Sequence, residues 1–107
     1  MIIRTEIEPS QRLVHLVGRF DAHETDGFRT AVFPLVTAEN NTVRIDLSQV
    51  AFVDSSALAE LVRLQKAAAA LGGEVILTQL SDPVRVILEI TDLAEVFTID
   101  DADTSAS

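Results

Sequence analysis

The side chains best suited to chemistry in this sequence are the carboxylate and the two hydroxyls of Asp54, Ser55 and Ser56. They follow one apolar stretch and precede an amphipathic one, which places them at the start of a predicted helix. The first turn of a helix has unpaired N–H groups and the positive end of the helix dipole, so a hydroxyl there can cap the helix or carry an anion. Both roles are open for the two serines.

Catalysis by either serine is not expected. A serine nucleophile needs a base held against it, and the chain has no Gly-x-Ser-x-Gly turn. His15 and His23 fall in a predicted strand and at a predicted helix start, without the further ligands that a metal site needs. Gly72-Gly73 ends a helix and does not lead into the lysine of a phosphate-binding loop. The sequence therefore predicts a non-enzymatic protein with no cofactor and no metal.

Composition narrows the possible partners. The chain has 107 residues, 48% of them hydrophobic, and most simply forms one domain. Its formal charge is −9 and Lys66 is its only lysine, so neither nucleic acid nor an anionic membrane is expected as a partner. No apolar run approaches the roughly 20 residues of a membrane helix, no signal peptide opens the chain, and cysteine is absent. These features predict a cytoplasmic protein.

Hydrophobic periodicity predicts the element order β-β-α-β-α-β-α-β. An antiparallel hairpin opens the chain, with Gly18 closing its second strand, and Asp21 and Glu24 have the spacing of a capping box. The strands are predicted at residues 2–8, 12–17, 43–47, 74–78 and 96–99, and the helices at 21–39, 55–71 and 82–91. The predicted fold is a single α/β domain over residues 1–99, with a mixed sheet of four to five strands packed with three to four helices. Residues 100–107 are predicted to be a disordered acidic tail.

The second helix has two distinct faces when about 100° is counted per residue. The face toward the sheet is predicted to hold Leu58, Leu61, Val62, Ala68 and Ala69, with Gln65 among them for no evident reason. The exposed face collects Ser56, Ala59, Glu60, Arg63, Lys66, Ala67 and Ala70. Ser55 lies near the boundary, so Ser56 is predicted to be the more exposed hydroxyl. The small residues beside it would let another protein come close.

Several segments together resemble the STAS domain, in particular the bacterial anti-sigma-factor antagonists. The segments are Gly18-Arg19-Phe20-Asp21, the strand Val43 to Leu47, Phe52-Val53-Asp54-Ser55-Ser56-Ala57-Leu58, and the run from Pro83-Val84-Arg85 to Phe97. The resemblance implies a STAS-like fold. It also implies a complex with an anti-sigma factor that is a serine kinase, release of a sigma factor, and phosphorylation on the second serine of the motif. A serine phosphatase is a further possible partner.

Residue by residue, the resemblance makes Ser56 the phosphoacceptor and places Asp21 near it. The predicted partner-binding residues are Asp21, Asp54, Ser55, Ser56, Ala59, Glu60 and Arg63. One position departs from the family pattern, because glycine usually follows the acceptor and this chain has Ala57. That departure favours an alternative function, a STAS interaction module of a signalling assembly or a transporter complex that is not phosphorylated.

Overall fold

A computed structural model describes residues 1–100 and has one five-stranded sheet. The strands lie side by side in chain order, with β1 antiparallel to β2 and every later pair parallel. Their bounds are Ile2–Ile7 for β1, Arg12–Phe20 for β2, Thr42–Val53 for β3, Glu74–Thr78 for β4 and Thr98–Asp100 for β5. The predicted mixed sheet with an opening hairpin is therefore confirmed.

Three helices connect the parallel strands: α1 at Thr25–Val32, α2 at Ser55–Ala70 and α3 at Asp82–Thr91. Short 3₁₀ turns flank them at Ala22–Glu24, Phe33–Leu35 and Ala94–Val96. The first helix is shorter than predicted because Pro34 lacks the N–H that a continuing helix requires, and the chain tightens into a 3₁₀ turn there. None of the helices in residues 1–100 is long and apolar enough to span a membrane.

One face of the sheet forms the core. Val14, Ile45 and Leu77 are aligned across β2, β3 and β4, and all three are fully buried. They belong to one cluster with buried side chains of all three helices. On the other face, His15 and Asp46 are neighbours at 3.2 Å and stay partly exposed. Alternation along the strands thus separates a helix-covered apolar face from a polar one.

Several strand bounds differ from the prediction, and β3 is longer at both ends than the predicted 43–47. Gly18 does not end β2, because its φ of +108° accommodates an irregularity in the pairing and the strand continues to Phe20. Val96 lies in a 3₁₀ turn rather than in the last strand. Asp100, predicted as the first residue of a disordered tail, pairs within β5 and accepts a hydrogen bond from Arg44 at 2.6 Å. The rest of that predicted tail, residues 101–107, lies outside the described residues.

Helix α2 packs largely as the residue count predicts. Leu58, Leu61 and Ala68 are buried, whereas Ala69 is exposed, contrary to the prediction. The unexplained Gln65 has a structural role, because its side-chain oxygen accepts a hydrogen bond from the backbone N–H of Val75 at 2.7 Å. A polar side chain on this face therefore satisfies a backbone donor at the start of β4.

Candidate functional site

The site forms where β3 runs directly into α2. Asp54 is the N-cap of α2, and its Oδ1 accepts a hydrogen bond from the backbone N–H of Ala57 at 2.9 Å. Its Oδ2 accepts from the backbone N–H of Ala22 at 3.0 Å, in the turn before α1. Both carboxylate oxygens thus have structural roles, and together they join the start of α2 to the segment that precedes α1.

Ser55 and Ser56 are the first two residues of α2, and both are exposed. Because Asp54 supplies the cap, the helix does not need either hydroxyl for this purpose. Within residues 1–100, no side-chain hydrogen bond involves either serine hydroxyl. Exposure alone does not single out Ser56, since Ser55 is exposed as well.

Asp21 lies in the turn that Asp54 contacts. Its Oδ1 accepts a hydrogen bond from the backbone N–H of His23 at 3.0 Å, so it caps the 3₁₀ turn before α1. The expected capping box is not formed, because the side chain of Glu24 instead contacts the amino group of Met1 at 2.8 Å. Asp21 is next to Ala22 in the chain, which brings it to the edge of the site, with its carboxylate directed at its own turn.

A groove of about 380 Å³ separates the start of α1 from the exposed face of α2. Its lining residues are Ala22, Thr25, Arg29, Ser55, Ser56, Ala59, Glu60 and Arg63. The structure therefore brings together five of the predicted partner-binding residues at the groove, namely both serines, Ala59, Glu60 and Arg63. Asp21 and Asp54 are not among the lining residues, and each accepts a hydrogen bond from the backbone of the turn before α1.

Glu60 was predicted on the exposed face, and this is wrong: its side chain is 1% exposed. Arg29 of α1 lies over it and donates two hydrogen bonds, Nη2 to Oε1 at 2.5 Å and Nε to Oε2 at 3.2 Å. Arg63 donates a third, from Nη1 to Oε1 at 2.6 Å. The hydrogen bond from Arg29 lowers the pKa of Glu60 despite the opposing effect of burial, and Glu60 in turn raises the pKa of Arg29. Glu60 therefore forms the charged floor of the groove.

Ala57, the departure from the family pattern, has a side chain that is fully buried. Its methyl group packs in the core cluster with Leu58 and Leu61, so it does not project into the groove. The residue after Ser56 therefore does not contribute to the groove surface.

Sequence reasoning missed Arg29, Thr25 and Ala22, which form the α1 side of the groove. Arg29 is 31 residues from its partner Glu60, and no local pattern links positions so far apart. A cation–π contact was also missed: the guanidinium carbon of Arg19 lies 4.2 Å from the ring centre of the partly exposed Phe52. No group of three or more metal-binding side chains occurs in the described part of the chain.

Comparison with known proteins defines the family. A model of the STAS domain matches residues 3–106, and the chain belongs to the STAS domain family. The anti-sigma-B factor antagonist of Listeria monocytogenes is 29% identical to it over 86 residues, which cover 80% of this chain and 75% of that protein. The resemblance to the STAS domain seen in the sequence is thus confirmed.

Three solved structures, of two proteins, have the same fold. An anti-sigma-factor antagonist (STAS) domain protein from Planctomyces limnophilus has a TM-score of 0.79 at 23% identity, covering 91% of this chain and 87% of that one. The Bacillus protein SpoIIAA, an anti-sigma factor antagonist, has been solved in two forms. Its unphosphorylated form has a TM-score of 0.78 at 17% identity, covering 98% of this chain and 93% of that one. Its phosphorylated form has a TM-score of 0.69 at 19% identity, covering 98% and 96%.

Proposed function

We propose that this chain is a cytoplasmic anti-sigma-factor antagonist controlled by phosphorylation of Ser56. The unphosphorylated form binds an anti-sigma factor that is also a serine kinase, and this binding releases a sigma factor. The observation that carries the proposal is a pair of exposed serine hydroxyls, without hydrogen-bond partners in residues 1–100, at the edge of a groove. The names of the Listeria relative and of SpoIIAA, whose phosphorylated form is known, support the same function.

Phosphorylation replaces a neutral hydroxyl with a dianion. Ser56 Oγ forms a bond to the γ-phosphorus of ATP as the bond to ADP breaks, and a base of the kinase accepts the hydroxyl proton. The product carries roughly 1.5 to 2 additional negative charges. A partner surface fitted to the neutral hydroxyl would have to remove water from this charge, which is strongly unfavourable. Modification therefore ends the complex, and a serine phosphatase would restore it.

The remaining contact surface consists of Ser55, Ala59 and Arg63 around the acceptor, with Asp21 and Asp54 at its edge. Ala59 is small and half-buried, so a partner backbone can approach α2 closely next to Ser56. Glu60 is excluded from this surface because Arg29 and Arg63 cover it. The kinase must therefore recognise a surface of small side chains and one arginine.

The alternative of an interaction module without phosphorylation was based on Ala57. Its methyl lies in the core, so it offers no steric reason for a kinase to fail at Ser56. Incubation with ATP and the candidate kinase, followed by intact-mass measurement, distinguishes the two functions. One added phosphate on wild type and none on Ser56→Ala supports the proposal, whereas co-purification with transporter subunits and no phosphate favours the alternative.

A pull-down with the cognate kinase tests the switch. We expect wild type and Ser56→Ala to bind alike, and Ser56→Asp to bind at least about tenfold more weakly, since an unpaired buried charge costs more than 1.4 kcal/mol. Ser10→Asp is the matched control, because it adds the same charge at an exposed serine in the β1–β2 turn. Equal binding by Ser56→Asp and wild type would show that the switch is wrong.

A further inference from the structure

The groove beside Ser56 contains three charged residues, Arg29, Glu60 and Arg63, and the proposed function uses only Arg63 among them, as a contact for the partner. Arg29 and Arg63 both bind the buried carboxylate of Glu60, and Arg29 also contacts the exposed carboxylate of Asp26 at 3.3 Å. All three residues line the same groove as the two serines. Two guanidinium groups beside a phosphorylation site are the usual partners of a phosphate.

The two arginines hold Glu60 to different degrees. Arg29 donates two hydrogen bonds to it, one to each oxygen, whereas the contact from Arg63 is a single bond to Oε1. The Arg63 side chain is 61% exposed and that of Arg29 is 48% exposed. Among the side-chain hydrogen bonds of residues 1–100, those of Arg63 involve Nη1 alone, so its Nε and Nη2 are available to a new partner. Arg63 can therefore leave Glu60 while Arg29 keeps that carboxylate paired.

Ser56 and Arg63 lie on the same face of α2. Seven residues turn the helix by about 700°, which leaves the two positions roughly 20° apart around the axis and about 10 Å apart along it. A long arginine side chain points back toward the helix N-terminus, and so toward Ser56. A phosphate on Ser56 and an extended Arg63 would thus meet over Ala59, which is too small to separate them.

We propose that Arg63 binds the phosphate on Ser56 of the same chain. When Ser56 is modified, Arg63 moves from Glu60 to the phosphate, while Arg29 stays on Glu60. Glu60 loses little when Arg63 alone leaves it, and this favours the exchange. Removing both arginines would leave Glu60 buried and unpaired, which is strongly unfavourable, but removing Arg63 alone leaves the two-bond contact from Arg29. A guanidinium binds a dianionic phosphate with charge-assisted hydrogen bonds, so the bond lost at Glu60 is replaced.

This inference rests on the proposed function and adds a second consequence of phosphorylation. The added charge repels the partner, and the movement of Arg63 also removes a cation from the surface that the partner contacts. The unmodified and modified forms would therefore differ at two positions on the groove, two helical turns apart. A partner that contacts both positions would discriminate between the forms more strongly than one that reads the serine alone.

The test uses the full chain with phosphoserine incorporated at position 56 during translation, so that no kinase is needed. Titration followed by ³¹P NMR gives the second pKa of the phosphate. A nearby guanidinium favours the dianion, and we expect this pKa to be about 0.4–0.7 pH unit lower in wild type than in Arg63→Gln. Lys66→Gln is the matched control, since it removes one exposed positive charge from the same helix outside the groove.

The expected result is a pKa that rises in Arg63→Gln and stays at the wild-type value in Lys66→Gln. Equal pKa values in wild type and Arg63→Gln, with both proteins folded by circular dichroism, would overturn the inference. A second readout is the Nε–Hε NMR signal of Arg63, which should shift between the unmodified and phosphoserine forms; an unchanged signal also contradicts the exchange. Failure of the kinase to modify Ser56 would overturn the proposed function and leave these measurements valid.

Discussion

The methyl group of Ala57 lies in the core, and we expect Ala57→Gly to reduce stability without improving phosphorylation. The change restores the glycine that usually follows the acceptor in the family. In a helix, glycine costs up to about 1 kcal/mol relative to alanine. Loss of one fully buried methyl group costs about a further 0.8 kcal/mol. The expected loss is therefore about 1.5–2 kcal/mol of the free energy of unfolding.

Urea unfolding measures this change directly, with the midpoint falling and the slope unchanged. For a domain of this size each kcal/mol shifts the melting temperature by about 4–8 °C, so we expect Tm to fall by roughly 6–16 °C. Ala69→Gly is the matched control, since Ala69 is in the same helix and exposed. It loses only helix propensity, at most about 1 kcal/mol.

Two results would refute this reasoning. If Ala57→Gly is no more destabilising than Ala69→Gly, the buried methyl contributes nothing to the core. If Ala57→Gly is phosphorylated severalfold faster than wild type by the same kinase, the methyl obstructs the approach of the kinase and does not face the core as described. The expected outcome is an unchanged initial rate at a temperature where both proteins are folded.

Two native glycines and one buried carboxylate give further predictions. Gly27 in α1 has no neighbouring atom within 4 Å of an added Cβ, so Gly27→Ala should raise the free energy of unfolding by about 0.4–1 kcal/mol. At Gly73 an added Cβ would lie 2.0 Å from the backbone oxygen of Asn41, so Gly73→Ala should lower the free energy of unfolding by about 2–3 kcal/mol. Urea unfolding should therefore show one variant more stable and the other less stable than wild type, and changes in the same direction would contradict the local geometry. The hydrogen bond from Arg29 lowers the pKa of Glu60 below its unfolded value of about 4.3. The ionised Glu60 therefore stabilises the folded protein fully above about pH 4.3, and this stabilisation is lost as the pH falls through the lower pKa of the folded state. The stability difference between wild type and Glu60→Gln should therefore be full at pH 7 and shrink below about pH 4, and a difference that does not change with pH would be inconsistent with it.

The fold was predictable because its signals are local. Alternation in β3 and the 3.6-residue period of α2 each report on a single element, and the order of elements then implies parallel crossovers. The errors arose where contacts between elements, and not the local sequence pattern, decide the structure. Gly18 was interpreted as a strand end, whereas the structure uses its positive φ to carry β2 two residues further.

The burial of Glu60 could not be predicted from the sequence of α2 alone. A count around one helix gives the direction in which a side chain points and carries no information about what lies over it. Glu60 does point away from the sheet, but α1 packs beside α2 and places Arg29 on top of it. The charged floor of the groove therefore depends on two helices, and only the structure relates them.

Asp54 answers whether the serines at the start of α2 are needed as helix caps. Capping and modification compete for a hydroxyl only if no other group caps the helix, and here an acid does so. The same carboxylate holds the backbone N–H of Ala22, which fixes the turn leading into α1 and hence the helix that carries Arg29. One side chain thus leaves both hydroxyls free and positions the opposite wall of the groove. The cap is therefore a condition for the proposed switch and not an alternative to it.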